Sequence, residues 1–334
     1  MLTKLRVGVI GLGLIGSLHA RILSETPNAE LISVADINET IVRETGKKYA
    51  CNFYTDFKSM CDNEDLDAVC VCTPDQFHPE NAIYAARRGL HLLVEKPLAQ
   101  TEISANQIVA AANEAGVRLM VAHLLHFDPR YVKVKEAVEQ GVIGDIIHMF
   151  FKRTNPRSNG RRLGGKVSIF YFIGVHDIEM MCCYAKSKPV RAYCQRVSKV
   201  NSDIGCEDTI MAIVNFENGA VGTVELCWAL PENTALGINT YAEIVGVDGV
   251  GYVDIMDQGV SIITKDNLYY PDILNWPEYN GRMMGNLKEE INHFVTATLA
   301  GDPYIVDTGN AITAIKVIEA CFKSIESGLP VDIS

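Results

Sequence analysis

Short apolar runs, separated by stretches with helical spacing, fill the first third of the chain. The runs are Leu5–Ile10, Leu31–Ala35, Ala68–Cys72, His91–Val94 and Val117–Ala122. They are nearly continuous in hydrophobicity, which is typical of strands that are buried on both faces of a parallel sheet. Because helical patterns lie between them, we predict an α/β fold with a doubly wound parallel sheet in this region.

The pattern changes after the first third, where longer runs alternate apolar and polar positions. Ile210–Phe216 and Ala220–Leu230 flank Asn218-Gly219, a dipeptide that favours a tight β-hairpin, and Asp248-Gly249 marks a second hairpin. Alternation of this kind predicts strands with one packed face and one wet face. Two amphipathic helices are predicted after these strands, near Leu287–Leu299 and Asn310–Ser327.

A length of 334 residues suggests two domains, each large enough to bury its own core. We predict a Rossmann domain over residues 1–123 and an α+β domain over residues 124–334, built on an open and mostly antiparallel sheet. The pattern leaves open that the C-terminal helix packs back on the first domain. No internal repeat or low-complexity linker is visible.

A glycine motif follows the first predicted strand. The residues Gly11-Leu12-Gly13-Leu14-Ile15-Gly16 spell G-x-G-x-x-G, and Asp36 closes the second apolar run. A strand, these glycines and an acid about 20 residues further on form the dinucleotide-binding fingerprint. Gly11 permits the tight turn, Gly13 lets the backbone approach a pyrophosphate, and Gly16 allows close packing of helix on strand. The helix N-terminus faces the phosphates. The alternative is an ordinary strand–helix turn.

The acid also indicates which dinucleotide is bound. Asp36 would accept hydrogen bonds from the adenosine ribose diol, and its charge would repel a 2′-phosphate. NAD is therefore expected as the cofactor, with NADP less favoured.

Composition excludes several classes of protein. The net charge of −11 speaks against nucleic acid as a partner. No apolar run approaches the length that spans a bilayer, so no membrane partner is expected. The first strand begins within about five residues, which leaves no room for a signal peptide. The ten cysteines contain no C-x-x-C pair and lie in buried-looking segments, so we expect reduced thiols and a cytoplasmic protein.

Ligands of parallel sheets bind beyond the carboxyl ends of the strands. The residues in that position here are Thr73-Pro74, Glu95-Lys96-Pro97 and His123. His123 either lines a nicotinamide or substrate pocket or packs in the core. A metal site is not expected, because no carboxylate or thiolate completes a ligand pattern around His123 and His126.

With these residues placed, the chain resembles the Gfo/Idh/MocA family of oxidoreductases over essentially its whole length. The matching segments are Gly11–Gly16, Asp36, Thr73-Pro74 with His78, Glu95-Lys96-Pro97-Leu98, Phe127-Asp128-Pro129 and Gly174-Val175-His176. The resemblance implies a Rossmann domain whose matching residues hold NAD(P), and a second domain whose open sheet floors the active site. It also implies oxidation of a secondary alcohol on a sugar or cyclic polyol by a homodimer or homotetramer, without a metal.

The same resemblance implies catalytic roles for Lys96 and His176. A lysine close to a cationic nicotinamide should have a lowered pKa and could accept the hydroxyl proton. A histidine within reach of that hydroxyl could relay the proton or align the alcohol. The alternatives are an exposed lysine at a strand end and a histidine that caps a helix or packs in a core.

One position departs from the family pattern. Many members carry an aspartate four residues before this histidine, where the present chain has Phe172. Phenylalanine cannot accept a hydrogen bond, so a mechanism that rests on a lysine–aspartate–histidine set is in doubt. Lys96 and His176 would then act as a pair, with Asp177 or Glu179 nearby in sequence. Glu179 lies one helical turn from His176 and could orient it; a solvated or buried structural acid is the alternative. Phe172 and Asp177 are predicted to contact the substrate.

A basic cluster interrupts the acidic chain between the second domain's first strand and the His176 helix. It comprises Lys152, Arg153, Arg157, Arg161, Arg162 and Lys166. Arginines suit phosphate or carboxylate recognition, so we hypothesise an anionic substrate such as a nucleotide sugar, sugar phosphate or sugar acid, bound by Arg153, Arg157 and Arg161. A solvated loop or a subunit contact is the alternative.

Three functions are consistent with this sequence. The leading one is an NAD-dependent sugar or polyol dehydrogenase in which Lys96 and His176 handle the proton. The second is glycoside cleavage by an enzyme that recycles its NAD, as in one branch of the family. The third is a non-catalytic NAD(H) sensor, which the intact Glu95-Lys96-Pro97 and His176 disfavour.

Overall fold

The computed structural model describes residues 4–232, 234, 237–255 and 258–334. The chain forms two compact units: residues 1–127 with 274–312, and residues 128–273 with 313–334. The sequence-based division at residue 123 stays a prediction. The units differ from it because residues 274–312 group with the N-terminal part of the chain.

The first unit contains a six-stranded parallel sheet. Its strands are β1 Leu5–Ile10, β2 Ala29–Ala35, β3 Asn52–Tyr54, β4 Ala68–Val71, β5 His91–Glu95 and β6 Leu119–Ala122. Their order in the sheet is β3-β2-β1-β4-β5-β6, and every neighbouring pair is parallel. The predicted doubly wound sheet is confirmed. Its direction of winding reverses between β1 and β4, where ligands of such sheets bind.

Helices connect and cover these strands. They are α1 Leu14–Glu25, α2 Glu39–Tyr49, α3 Phe57–Asn63, α4 His78–Arg87 and α5 Glu102–Glu114, with short 3₁₀ turns at Asp75–Phe77 and Leu124–Phe127. Asn38, Asp56 and Thr101 cap the N-termini of α2, α3 and α5, because their side-chain oxygens accept backbone N–H bonds that the first helical turn cannot satisfy.

The second unit is built on a mixed, mostly antiparallel sheet, as the alternating pattern predicts. Its strands are β7 Ile146–Pro156, β8 Pro189–Val197, β9 Thr209–Phe216, β10 Val221–Leu230, β11 Asn239–Gly246, β12 Val250–Asp254 and β17 Val331–Asp332. The order is β12-β11-β7-β10-β9-β8-β17, and β7 with β10 is the parallel pair. Along β10 each buried residue is followed by a partly exposed one, so one face of this strand packs.

The remaining helices are α6 Pro129–Glu139, α7 Arg157–Leu163, α8 Val175–Ala185, α9 Asn286–Ala300 and α10 Thr308–Ser327. A π-helical turn, Phe170–Gly174, leads into α8. Two short hairpins complete the chain: β13 Ile262–Ile263 with β14 Leu268–Tyr269, and β15 Glu278–Tyr279 with β16 Arg282–Met283. Within the described ranges, no helix combines the length and apolar character needed to cross a membrane. All ten cysteines are free thiols.

In the first unit, α9 packs against α1 and β1. Its buried side chains include Leu287, Ile291, Phe294 and Val295. Helix α9 is thereby part of the first unit's core, whereas the sequence-based division places it in the second domain. The local pattern revealed the helix but not the unit on which it packs.

Candidate active site

The glycine turn between β1 and α1 has little room for side chains. Gly11 has a φ of +88°, and a Cβ there would lie 2.8 Å from backbone atoms of Cys72 and Thr73. A Cβ on Gly16 would lie 1.8 Å from the Gly11 carbonyl oxygen. Gly13 is different, because a Cβ there would meet no atom within 4 Å. The first and third glycines therefore close the turn, and the second leaves its outer side open.

This open side coincides with the N-terminus of α1. Gly13 is the N-cap residue, and no side chain caps this helix end. Leu14, in the first turn, is 64% exposed. Backbone N–H groups that lack a capping side chain, together with the helix dipole, favour an anion at this position. The turn fits the pyrophosphate of a dinucleotide.

Asp36 links the glycine turn to the end of β2. Its Oδ2 accepts a hydrogen bond from the Leu12 amide at 2.7 Å, and its Oδ1 accepts one from the Asn38 amide at 2.9 Å. Each carboxylate oxygen can accept a second bond. The half-buried side chain therefore holds the turn in place and still has acceptor capacity for a ribose diol.

His78 joins the ends of β4 and β5. The ring is 1% exposed, with Nδ1 at 2.8 Å from the Pro97 carbonyl and Nε2 at 2.8 Å from the Thr73 carbonyl. Burial lowers the pKa of His78, and the two carbonyls act in the opposite direction. Thr73 also accepts a bond from Asn81 through its hydroxyl. The structure thus shows His78 as a brace between two loops, while its predicted contribution to cofactor binding stays a prediction.

Lys96 directly follows β5, and its peptide bond to Pro97 is cis. Its amide donates to Glu95 Oε2 at 3.2 Å. The other carboxylate oxygen of Glu95 lies 3.1 Å from His19 Nε2. The half-buried lysine is therefore placed at the carboxyl edge of the sheet, on a backbone that Glu95 anchors.

Sequence reasoning missed two members of this site, His19 and Glu290. A ring nitrogen of His19 and one carboxylate oxygen each from Glu95 and Glu290 all lie within 4.8 Å of one another. His19 is fully buried and Glu290 is 1% exposed. A signal was present, since Glu290 interrupts the apolar face of α9 between Leu287 and Phe294, where a charged residue requires a reason.

Another histidine of the first unit, His123, directly follows β6 and is 1% exposed. This burial is compatible with a histidine that lines a pocket and with one that packs in the core. Its predicted place at a nicotinamide or substrate pocket stays a prediction.

In the second unit, His176 lies in the first turn of α8 and is half-buried. Phe172, at the position of the family aspartate, lies within the π-helical turn. The Phe172 ring centroid is 6.1 Å from that of Trp228, and the Arg162 guanidinium carbon lies 5.8 Å from the Phe172 centroid. An aromatic contact therefore occupies the position where many family members have a carboxylate. Asp177 and Glu179 are both fully buried.

The basic cluster is extensively paired. Arg153 is buried and donates two hydrogen bonds to Asp177, at 2.7 and 2.8 Å. Burial opposes the charge of Arg153, but Asp177 and its neighbours raise the guanidinium pKa above its usual value. Exposed Arg161 donates to both oxygens of Asp203 at 3.0 Å. Two of the three arginines predicted to bind an anion therefore already hold a carboxylate.

The two predicted catalytic residues belong to different units. Lys96 lies in the first unit and His176 in the second. Their cooperation on one substrate stays a prediction, as do the individual roles of the other predicted site residues.

Comparison with known proteins identifies the family. The N-terminal profile of the Gfo/Idh/MocA oxidoreductases, described as an oxidoreductase family with an NAD-binding Rossmann fold, matches residues 5–123. The C-terminal domain profile of the same family matches residues 131–250. The chain belongs to the Gfo/Idh/MocA family. It is therefore an oxidoreductase with an NAD-binding Rossmann domain, as the glycine motif and Asp36 predict.

Similar proteins align over nearly the whole chain. Myo-inositol 2-dehydrogenase of Thermotoga maritima is 26% identical, with 96% of each chain covered. The scyllo-inositol 2-dehydrogenase (NAD(+)) of Bacillus subtilis is also 26% identical, over 99% of this chain and 96% of the relative. The crystal structure of myo-inositol 2-dehydrogenase from Lactobacillus plantarum superposes with a TM-score of 0.87 at 24% identity, covering 99% and 100% of the two chains. That superposition confirms the fold.

Proposed function

We propose that this protein is an NAD-dependent dehydrogenase that interconverts a secondary alcohol and a ketone on a cyclic polyol or a closely related sugar. The observation that carries the proposal is the placement of Lys96. It follows β5 at the same sheet edge as the open glycine turn, on a backbone fixed by Glu95. The names of the full-length relatives support the polyol class.

NAD, when bound, supplies the acceptor for the hydride that leaves the alcohol carbon. The chain must then provide a place for the hydroxyl proton, and the amine of Lys96 is the group we assign to accept it. His176 would align the hydroxyl or relay its proton. Gly11, Gly13, Gly16 and Asp36 would hold the cofactor, with backbone contacts from the loops that Thr73 and Glu95 begin.

The pairing of the arginines favours a neutral substrate over an anionic one. Arg153 is neutralised by Asp177 inside the second unit, and Arg161 is paired with Asp203. An anion would have to compete with these carboxylates. A nucleotide sugar, sugar phosphate or sugar acid is the alternative substrate class, and Arg157 would be its principal contact.

The proposal is tested by initial rates of NADH formation from NAD⁺ across a panel of substrates. The panel contains inositol isomers, free sugars, sugar acids, sugar phosphates and nucleotide sugars. We expect a rate with a neutral cyclic polyol or sugar. NAD⁺ binding without NADH formation from any of these would contradict the proposal and favour the cofactor-recycling glycosidase or the sensor.

The same assay tests the assigned base. Lys96→Met keeps much of the side-chain length but removes the amine, and we expect kcat to fall by about 10²–10⁴-fold, the usual contribution of a positioned acid or base. Lys133→Met, at an exposed lysine of α6, is the matched control. NAD⁺ affinity measured by titration should change little in either variant. A Lys96→Met enzyme with the wild-type rate would exclude this lysine as the base.

A further inference from the structure

Two carboxyl groups and one imidazole meet in the first unit, next to Lys96 in the case of Glu95. His19 on α1, Glu95 at the end of β5 and Glu290 on α9 converge within 4.8 Å. His19 Nε2 and Glu95 Oε1 are 3.1 Å apart, so these two groups satisfy one another. Both carboxylate oxygens of Glu290 are buried and have no hydrogen-bond partner among the residues that the structure describes.

Two ionised carboxylates at this separation, Glu290 fully buried and Glu95 largely so, repel each other strongly. One of a pair of carboxyl groups that share a site is therefore held protonated. Burial and the neighbouring charge of Glu95 raise the pKa of Glu290 well above its usual value. Burial acts most strongly and raises the pKa of Glu95, but the hydrogen bond with His19 and the charges of His19, Lys96 and His78 together outweigh it, so the net direction is down.

The proton has two conceivable places in the cluster, Glu290 or the second nitrogen of His19. His19 Nδ1 is buried and has no partner among the described residues. A proton on Nδ1 would create a buried cationic donor without an acceptor, which is costly. A proton on Glu290 has the carboxylate of Glu95 close by. The geometry therefore favours Glu290 as the protonated group.

We propose that Glu290 holds a proton beside the ionised carboxylate of Glu95, and that it is a positioning residue for Lys96 because it limits the His19–Glu95–Glu290 cluster to a single negative charge. The effect on Lys96 rests on the proposed function. The protonation of Glu290 is independent of that function.

The charge of the cluster matters to the reaction because Glu95 touches Lys96. Glu95 Oε2 accepts the Lys96 amide hydrogen bond, and a single charge on Glu95 is sufficient to hold it. A second negative charge would favour the ammonium form of Lys96. A lysine held as ammonium cannot accept the proton of the alcohol. With Glu290 protonated, Glu95 still accepts the hydrogen bond from the Lys96 amide. The ammonium form of Lys96 is not stabilised by a second negative charge.

Other titratable groups act on this cluster, and those on β4 and α4 do not supply a positive charge in place of the proton. Burial raises the thiol pKa values of Cys70 and Cys72 on β4, so both thiols are neutral near physiological pH. Burial lowers the pKa of His78 on α4. The groups facing Glu290 and Glu95 are His19, Cys70, Cys72, His78 and Lys96.

The first test measures thermal stability against pH and needs no enzymatic activity. The pKa of Glu290 in the folded chain is above its unfolded value, so between these two values the folded state binds a proton that the unfolded state lacks. Stability then falls as pH rises through this window. Glu290→Gln is a neutral mimic of the protonated side chain and does not undergo this loss.

We expect Glu290→Gln to have a Tm close to that of the wild type at about pH 5, and a higher relative Tm, by several degrees, at about pH 9. Glu289→Gln, at the exposed neighbouring position on α9, is the matched control and should follow the wild type at every pH. A Glu290→Gln variant whose Tm is lowered equally at all pH values would overturn the proposal, because Glu290 would then be required as an anion.

The second test concerns Lys96 and uses the pH profile of kcat/KM for alcohol oxidation. We expect the rising limb to keep its position in Glu290→Gln, because no charge has been removed, and to move to lower pH in Glu95→Gln. A shift of the limb to lower pH in Glu290→Gln would show that Glu290 is ionised in the wild type and would overturn the proposal.

A metal ion is the competing occupant, since one imidazole and two carboxylates are possible ligands for a divalent cation. Elemental analysis of the purified protein distinguishes the two cases. One zinc or manganese ion per chain in the wild type, lost in Glu290→Gln, would show that a metal ion and not a proton compensates the two carboxylates. That result would overturn the proposal. If no alcohol is oxidised at all, the proposed function fails, while the stability measurement still decides the protonation of Glu290.

Discussion

The two units bury charge in different ways. In the second unit, Arg153 and Asp177 form a closed pair in which two parallel hydrogen bonds join a guanidinium to a carboxylate. In the first unit, Glu95 and Glu290 lie in one cluster with His19, and Glu290 has no donor among the described residues. One site is neutral and satisfied, whereas the other is charged and incomplete.

This difference separates a structural use of buried charge from a functional one. A bidentate pair fixes geometry and leaves no capacity for chemistry. An unbalanced cluster is unfavourable for stability, and groups with strongly shifted pKa values concentrate at active sites. The unbalanced cluster includes Glu95, which directly precedes Lys96, the residue to which we assign proton transfer in the proposed function. We infer that the arginine pair maintains the second unit, while the carboxyl pair serves the reaction.

The largest expected effect follows from opening the closed pair. Asp177→Ala would leave Arg153 buried without its carboxylate, and loss of one partner of a buried ion pair typically costs about 3–5 kcal/mol. We expect a loss of this size in the free energy of unfolding, measured by urea denaturation. Because the penalty arises from the remaining charge, the double variant Arg153→Met/Asp177→Leu should be more stable than Asp177→Ala.

The matched control is Asp332→Ala, which breaks an exposed pair with Arg191 in the same sheet. Its unfolding curve should overlay that of the wild type, because solvent screens such pairs. If Asp177→Ala were as stable as this control, the closed pair would not be structural, and Asp177 would become available again as the predicted substrate contact.

A smaller effect, of opposite pH dependence to that of Glu290, is expected at Asp208. This buried carboxylate accepts backbone hydrogen bonds from Lys199, Val200 and Asn201. Burial alone would raise the pKa of Asp208, but these donors outweigh it and lower the pKa below its usual value. Asp208→Asn should lower the free energy of unfolding near neutral pH by about 1.5–3 kcal/mol, the usual worth of hydrogen bonds to a charged group.

The sign of the pH dependence distinguishes Asp208 from Glu290. The folded pKa of Asp208 is below its unfolded value, so its contribution is complete above the unfolded pKa and is lost as pH falls through the folded pKa. The stability difference between wild type and Asp208→Asn should therefore shrink in acid. Asp266→Asn, at an exposed aspartate of the second unit, is the control. A difference independent of pH would mean that the donors do not require the charge.

Much of the fold was predictable because its signals are local. The glycine motif, the five apolar runs and the turn at Asn218-Gly219 each depend on neighbours in sequence, and the parallel and antiparallel sheets are confirmed. The unit to which α9 belongs was not predictable in this way. An amphipathic helix shows that one face is buried, but nothing in its period says against which sheet.

The same distinction applies to the candidate site, where local sequence signals were readable and contacts between distant residues were not. Lys96 was visible because it ends a predicted strand, whereas the contact of Glu95 with His19 joins residues 76 positions apart. Glu290 could have been suspected from its place on an apolar helix face. Its neighbours could not, because they come from two other elements. For Arg153 the sequence indicated a positive charge, but its partner Asp177 lies 24 positions away and became evident only in the folded unit.

The smallest expected effect concerns the exposed arginine of the basic cluster. Arg161 pairs with Asp203 on the surface, and both side chains are about half exposed, at 43% and 59%. Arg161→Ala should leave the Tm close to that of Arg191→Ala, a control at another exposed pair, since neither change leaves a buried charge without its partner.

The KM values of the Arg161→Ala variant decide between the substrate classes. If a sugar acid or sugar phosphate is the substrate, loss of Arg161 should raise its KM by about tenfold, equivalent to one charge-assisted contact. An unchanged KM for a neutral polyol would place Arg161, like Arg153, among the residues whose charge is already balanced by a carboxylate.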